Sequence, residues 1–302
     1  MIFDYTSQTV CRENPYMQGL CDKMINDVDR NKFYDQMIQS LVADKVCCDI
    51  GFGSGILTMM AVKHGAKKVH AFEQDPATFD FGKAIIEKMG YADKVEFHNK
   101  RWNRKDPAYS YDIILHEILM RSVWGEGLYD VYKQNWKRVG DIHPSQVAVE
   151  IMACDDVDYT QFGEAKPIDY NIGIDYLSSY EKCWHELMSS EEYFSFWPYT
   201  SQVNRKNILE SFVSKIGEYS FDLNKDTIPE VIEVKVKVPS NCLVTIRGSA
   251  NGFYMVREDN NDHWRPDKIT HVATGGNLIF KHRTSDGHWW LEGDKDAVND
   301  GC

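Results

Sequence analysis

No apolar run in the 302 residues reaches the roughly 18 that a membrane span requires. The amino-terminal Met1-Ile2-Phe3-Asp4 also lacks the basic-then-apolar order of a signal peptide, so the expectation is a cytoplasmic protein that does not enter a membrane. The eight cysteines contain no CxxC pair, and Cys47 and Cys48 are adjacent. Neither a disulfide framework nor a metal site is therefore expected, and the thiols are read as reduced, several of them as core packing. Basic charge is in deficit, 34 residues against 46 acidic ones, for a net charge of -12. That balance disfavours a nucleic-acid backbone as the main partner and favours a cationic one. Internal repeats and low-complexity segments are absent. With 43% hydrophobic and 26% charged residues, disorder, a collagen-like repeat and a coiled coil are excluded. What remains is an ordinary globular chain, long enough for two domains or one large one.

Hydrophobic periodicity divides the chain. Met24, Ile25, Val28, Met37, Ile38 and Leu41 recur near helical spacing, so residues 1–44 read as a helical segment. Between residues 45 and 143, short apolar runs at Val46–Ile50, Lys68–Glu73, Lys94–Phe97 and Asp112–Leu115 alternate with helical stretches at Ile56–His64 and Ala77–Met89. Strands separated by helices predict an α/β unit with a parallel, doubly wound sheet. From residue 144 the pattern changes. Gln146–Met152 is strand-like, and Ile232, Val234, Val236 and Val238 alternate with Glu233, Lys235 and Lys237, which predicts a half-buried antiparallel strand. Short strands are expected at Cys242–Arg247, Gly252–Val256, Asn277–Lys281 and His288–Leu291, and a helical insertion near 169–198. Residues 144–302 are thus expected to form a mostly β, barrel-like or sandwich domain.

Asp49-Ile50-Gly51-Phe52-Gly53-Ser54-Gly55 follows a strand and opens a helix, where glycines let a backbone approach a ligand closely. Glu73 ends the next strand and is placed to accept both hydroxyls of a ribose. Position 56 is Ile56 rather than the third glycine of a dinucleotide turn, so a pyrophosphate cofactor is disfavoured. Trp102, just past the third strand, is a candidate to stack on an adenine or a plain packing residue. The pattern resembles that of the S-adenosylmethionine methyltransferases.

At the end of the fourth strand, Glu117 is followed nine residues on by Glu126, within Trp124-Gly125-Glu126-Gly127. On one helix that spacing would set the carboxylates on opposite faces, so convergence requires a loop that bends back, for which Gly125 and Gly127 are suited. Two converging carboxylates suit a guanidinium, a planar fork of donors that stays charged. At these residues the chain resembles the protein arginine methyltransferases. Glu117-Ile-Leu-Met-Arg-Ser-Val-Trp-Gly-Glu126-Gly127 is similar to their double-glutamate loop, nearest in form to the monomethylating (type III) branch.

That resemblance implies a class I methyltransferase domain of Rossmann-like fold with a β-barrel-like domain after it, and S-adenosylmethionine as cofactor. Asp49, Gly51, Gly53, Gly55, Glu73, Trp102 and Arg30 are implied as cofactor-binding, with Arg30 on the cofactor carboxylate. Glu117, Glu126, Asp27 and His263 are implied as catalytic, Asp27 pairing with His263 of Asp262-His263-Trp264, and Trp264, Met120 and Tyr16 as substrate-binding. Departures are Asp262 where the family carries Thr, His116 before the first glutamate, and an aromatic motif reduced to Pro15-Tyr16-Met17. The implied reaction is methyl transfer to an arginine guanidinium nitrogen of a basic, arginine-rich protein, giving ω-monomethylarginine, with a homodimer as a further expectation. A methyltransferase of another substrate, or a non-catalytic homologue, stays open.

Overall fold

The computed structural model describes residues 27–104, 110–119, 122–135, 139–154, 214–240, 242–254, 270–272 and 275–293. The first described element is helix α1 (Val28–Gln39), whose first turn is capped by the Asp27 carboxylate accepting from the Arg30 amide at 2.9 Å. Five strands follow, β1 (Val46–Ile50), β2 (Lys68–Glu73), β3 (Val95–Asn99), β4 (Ile113–His116) and β5 (Asp141–His143), all parallel and in the order β3-β2-β1-β4-β5. Helix α2 (Ile56–Lys63) crosses from β1 to β2, and helix α3 (Pro76–Lys88) from β2 to β3. Asp75 caps α3 through the Thr78 amide at 2.8 Å and Pro76 sits in its first turn, a start signal visible in the sequence. Central β1 and β4 are buried along almost their whole length, which is why they read as apolar-rich runs rather than alternating ones. The strand order reverses between β1 and β4, so their carboxyl ends open a crevice of the kind where α/β sheets bind ligands.

Helix α4 (Leu128–Asn135) precedes β5, after which the chain becomes antiparallel. Strand β6 (Gln146–Cys154) pairs with β7 (Ser214–Asp222) and β9 (Cys242–Ala250), and β9 also pairs with β10 (Phe253–Tyr254) and β11 (Thr270–Val272). A second sheet has the order β13 (Trp289–Gly293), β12 (Gly276–Arg283), β8 (Val231–Val238). The described strands therefore make two antiparallel sheets; Val149, Ile151, Val236, Phe280 and Trp289 are buried in one core that runs on to Trp124 and Ile114 of the parallel half. The expected insertion near 169–198 lies outside the described residues. Among the described residues no helix is long and apolar enough to cross a membrane.

One side chain ties the halves together. Asn224, in the turn after β7, accepts from the Ile142 amide at 2.8 Å and donates to its carbonyl at 3.0 Å. It thereby completes both backbone groups on the outer edge of β5.

Candidate active site

A cavity of about 530 Å³ opens at the carboxyl edge of the parallel sheet. Gly51, Glu73 and Trp102 line it together with Glu117 and Glu126, so residues expected to hold a cofactor and those expected to hold a guanidinium share one space.

The glycine turn is built from backbone conformation. Gly51, Gly53 and Gly55 all have positive φ (71°, 51° and 83°), a region in which a Cβ is strained. The turn is held down by Gly51 and Phe52 amides donating to the Phe72 carbonyl at 2.8 and 3.0 Å. Helix α3 presses on its far side at Gly82, where an added Cβ would lie 2.0 Å from the Gly53 carbonyl oxygen. Glu73, at the end of β2, accepts from the Gly53 amide at 3.3 Å and the Asp75 amide at 2.9 Å. Asp49 is fully buried on β1, where Thr58 Oγ1 donates to its Oδ2 at 2.6 Å. Burial raises the Asp49 carboxyl to about 7 despite the Thr58 bonds that favour its ionised form.

The expected bend between the two glutamates is present. The described residues from 117 to 127 hold no helix, Gly125 and Gly127 take φ of 128° and 93°, and α4 begins only at Leu128. Val123, a β-branched residue, also has a positive φ of 71°, a strained conformation that persists only where its surroundings impose it. Those surroundings are a buried hydrogen-bond chain. Trp124 Nε1 lies 2.9 Å from Tyr219 Oη, Tyr219 Oη 2.7 Å from His282 Nδ1, and His282 Nε2 3.1 Å from the Gly287 carbonyl. A carbonyl only accepts, so Nε2 carries the ring proton, Tyr219 donates to Nδ1, and its oxygen accepts from the indole. Burial lowers His282 to about 4, which keeps the ring in the neutral form this chain requires. The glutamate loop is thus pinned to the β half by Tyr219 on β7 and His282 on β12.

Glu117 receives the Arg30 side chain as a two-point fork, Nε to Oε1 and Nη2 to Oε2. The sequence reading puts Arg30 on a cofactor carboxylate; in the structure its fork meets Glu117, and its Nη1 donates to Asn31 Oδ1 at 2.9 Å. Burial acts to lower the Arg30 pKa, but the Glu117 charge and hydrogen bond outweigh it and the guanidinium stays charged. Asp27 Oδ1, expected to face His263, caps α1. Glu126 lines the cavity with much of its surface exposed, yet desolvation there and the negative charge of Glu117 raise its carboxyl to about 7. Tyr16, Met120, His263 and Trp264 lie outside the described residues.

Four buried side-chain polar atoms, Tyr34 Oη, Asp49 Oδ1, Trp102 Nε1 and His116 Nδ1, have no hydrogen-bond partner among the described residues. All four belong to the site or adjoin it, Tyr34 lying under Arg30 with the guanidinium carbon 5.3 Å from its ring. Buried polar groups are normally paired, so unmet capacity gathered at one sheet edge fits a ligand that brings its own donors and acceptors. Thr58, Tyr34, Gly82, Tyr219 and His282 were not singled out from the sequence. Only Gly82 leaves a trace there, as a glycine placed at a cost inside a helical stretch.

Residues 32–147 match the family described as ribosomal protein L11 methyltransferase (PrmA). "Protein arginine N-methyltransferase 1" of Oryza sativa subsp. indica is 28% identical over 153 residues, covering 47% of this chain and 39% of the relative. The protein of the same name from Saccharomyces cerevisiae is 29% identical over 149 residues, covering 47% and 42%. "Protein arginine N-methyltransferase 7" of Bos taurus is 32% identical over 123 residues, covering 36% and 18%. The chain spans about two fifths of the length of the first of these relatives. Among solved structures, the Trypanosoma brucei PRMT1 enzyme-prozyme heterotetrameric complex with AdoHcy superposes with a TM-score of 0.57 at 18% identity, over 91% of this chain and 94% of that one. A crystal structure of PRMT6 gives 0.58 at 14% identity, over 92% and 99%. The fold is therefore that of the arginine methyltransferase structures, a Rossmann-like domain followed by an antiparallel sheet domain.

Proposed function

We propose that this chain is an S-adenosylmethionine-dependent methyltransferase acting on arginine guanidinium nitrogens of a protein, with ω-monomethylarginine as product. The observation that carries this reading is that Gly51, Glu73, Glu117 and Glu126 all line one cavity. The names of the relatives and the AdoHcy of the trypanosomal complex support it, as does the Arg30–Glu117 pair, since it places a guanidinium fork on this carboxylate within the same fold.

S-adenosylmethionine, when bound, supplies an electrophilic methyl group on a sulfonium. The residues of this chain position and polarise. Glu73 accepts the ribose hydroxyls, the glycine turn lets backbone come close, and Asp49 Oδ1 offers a buried acceptor beside it. Trp102 walls the adenine side, and Arg30 orients Glu117. Glu117 and Glu126 hold the substrate guanidinium in one plane and draw its positive charge away from the attacking nitrogen. The proton released after transfer passes to a carboxylate, for which Glu126, raised to about 7, is the matched acceptor. His263 paired with Asp27 is the other acceptor in this reading, and Trp264, Met120 and Tyr16 line the substrate entrance. The helical segment 1–44, the unit 45–143 and the β unit 144–302 form the working divisions of a cytoplasmic enzyme, with a homodimer as its assembly.

The match to the L11 methyltransferase family favours a second reading, methylation of a non-arginine substrate, which would not need two glutamates. Mass spectrometry of arginine-rich peptides after incubation with labelled cofactor separates them. The first reading expects monomethylarginine, and Glu117→Gln and Glu126→Gln each to cut turnover far more than cofactor affinity. Label on any residue other than arginine, or near-normal turnover of either variant, refutes it.

A further inference from the structure

We infer that His70, Glu96 and His98 form a binding site for a divalent transition-metal ion of the zinc class, on the sheet edge outside the cavity. Strands β2 and β3 pair in parallel with His70 opposite Glu96, and strand alternation puts His98 on the same face, two residues further along β3. His70 Nδ1 is 3.3 Å from His98 Nε2 and 3.7 Å from Glu96 Oε2, and His98 Nε2 is 3.5 Å from Glu96 Oε1. Bond lengths of about 2.0–2.2 Å in a tetrahedral site set neighbouring ligand atoms roughly 3.3–3.6 Å apart. The two ring nitrogens already lie at that spacing, and one ligand atom from each of the three residues lies within 4.8 Å of the others. Glu96 approaches the two rings through different oxygens, so its carboxylate must turn to bring one oxygen to both, and water completes the fourth position.

The donor set, two imidazoles and one carboxylate, is the borderline chemistry that suits zinc and its neighbours rather than magnesium or calcium. The site is preorganised. The side chains of His70 and His98 are 6% and 9% exposed, both ligand-bearing segments are regular strands, and Phe72 stacks on His98 with centroids 4.4 Å apart. Burial lowers the His70 pKa, which favours the neutral ring a metal needs. Lys68 is the opposing charge, pairing with Glu96 Oε2. That ion pair fixes the carboxylate and competes with the metal for it, at a cost in affinity. The sequence carries no sign of this set, because His70 is separated from Glu96 by a helix and only pairing of β2 with β3 unites them.

The full-length chain, stripped with chelator, is titrated with Zn²⁺ by calorimetry and with Co²⁺ by its visible absorption, alongside Glu96→Gln and His98→Gln. The wild type is expected to bind one equivalent with the intense absorption of tetrahedral Co²⁺, and each variant to lose at least tenfold in affinity at that site. Should His98→Gln fail to fold, Glu96→Gln and the ¹⁵N shifts of the His70 and His98 ring nitrogens in the wild type decide alone. Indistinguishable isotherms for wild type and Glu96→Gln, or Zn²⁺-induced shifts confined to other histidines, overturn the inference. Neither cofactor nor substrate is present, so failure here leaves the methyltransferase reading untouched.

Discussion

Tyr219→Phe removes one oxygen from the chain that pins the glutamate loop, and the structure sets the size of the effect. That oxygen serves two fully buried partners, the Trp124 indole N–H and His282 Nδ1. Phenylalanine fills nearly the same volume, so no cavity term enters, and the loss is the two hydrogen bonds together with the desolvation of the groups left unpaired. A stranded buried neutral group costs about 1–3 kcal/mol, and two of them, partly relieved by relaxation, make about 3 kcal/mol. At about 2–4 °C per kcal/mol for a unit of this size, the melting temperature should fall by roughly 6–12 °C. The functional consequence is separable from the stability loss. Trp124 lies two residues before Glu126 in a loop already strained at Val123, and a shift there by a fraction of an ångström should lower kcat by roughly tenfold or more. Affinity for S-adenosylhomocysteine should stay unchanged, because Gly51 and Glu73 are untouched. A double-mutant cycle with His282→Phe should give less than the sum of the single losses, as the two belong to one chain. Additive losses, or a melting temperature within a degree of wild type, would refute the reasoning.

Gly82→Ala should abolish S-adenosylhomocysteine binding in calorimetry and destabilise the fold by about 1–3 kcal/mol or more, since its Cβ would sit 2.0 Å from the Gly53 carbonyl and that obstacle is backbone. For Glu126, with its carboxyl raised to about 7, the charged form that faces a guanidinium grows as pH rises, so kcat/KM for a basic peptide should climb between pH 6 and 8. The sign for stability is opposite, because the folded state holds this proton more tightly than the unfolded chain: Glu126→Gln should gain relative to wild type from pH 5 to 7.5, and a flat difference in urea melts would contradict the assignment. The net charge of -12 should make KM for a basic peptide rise with salt, screened over a Debye length of about 8 Å at physiological ionic strength, while KM for the cofactor changes much less. A salt-independent peptide KM would leave the acidity without a role in substrate capture.

What the sequence determined by itself is what local rules govern. Strands β1, β2 and β4 are short apolar-rich runs buried along almost their whole length, and helix α3 is read at Ala77–Met89, so hydrophobic pattern places them within a residue or two. The glycine turn and the acid after the next strand are legible because one strand–turn–helix and its neighbour contain both. The bend between Glu117 and Glu126 follows from the helical period, which forbids their convergence on one helix, and from Gly125 and Gly127, which allow it. Tertiary structure decided the rest. Strand β7 was not read, since Gly217 and its charged neighbours weaken the pattern; the structure needs a glycine there, because a Cβ would lie 2.8 Å from Val236 on the facing sheet. Arg30 reads as a ligand for an anion, and which anion it meets depends on α1 docking over the end of β4, 87 residues away in sequence. Trp124, Tyr219 and His282 each look like ordinary core residues, and only the packing of the two halves turns them into one polar chain whose proton order is set by the carbonyl of Gly287. Short-range patterns encode elements and turns because each is stabilised within a few residues. Partnerships between side chains drawn from distant elements depend on how the whole core packs, and no local pattern records them.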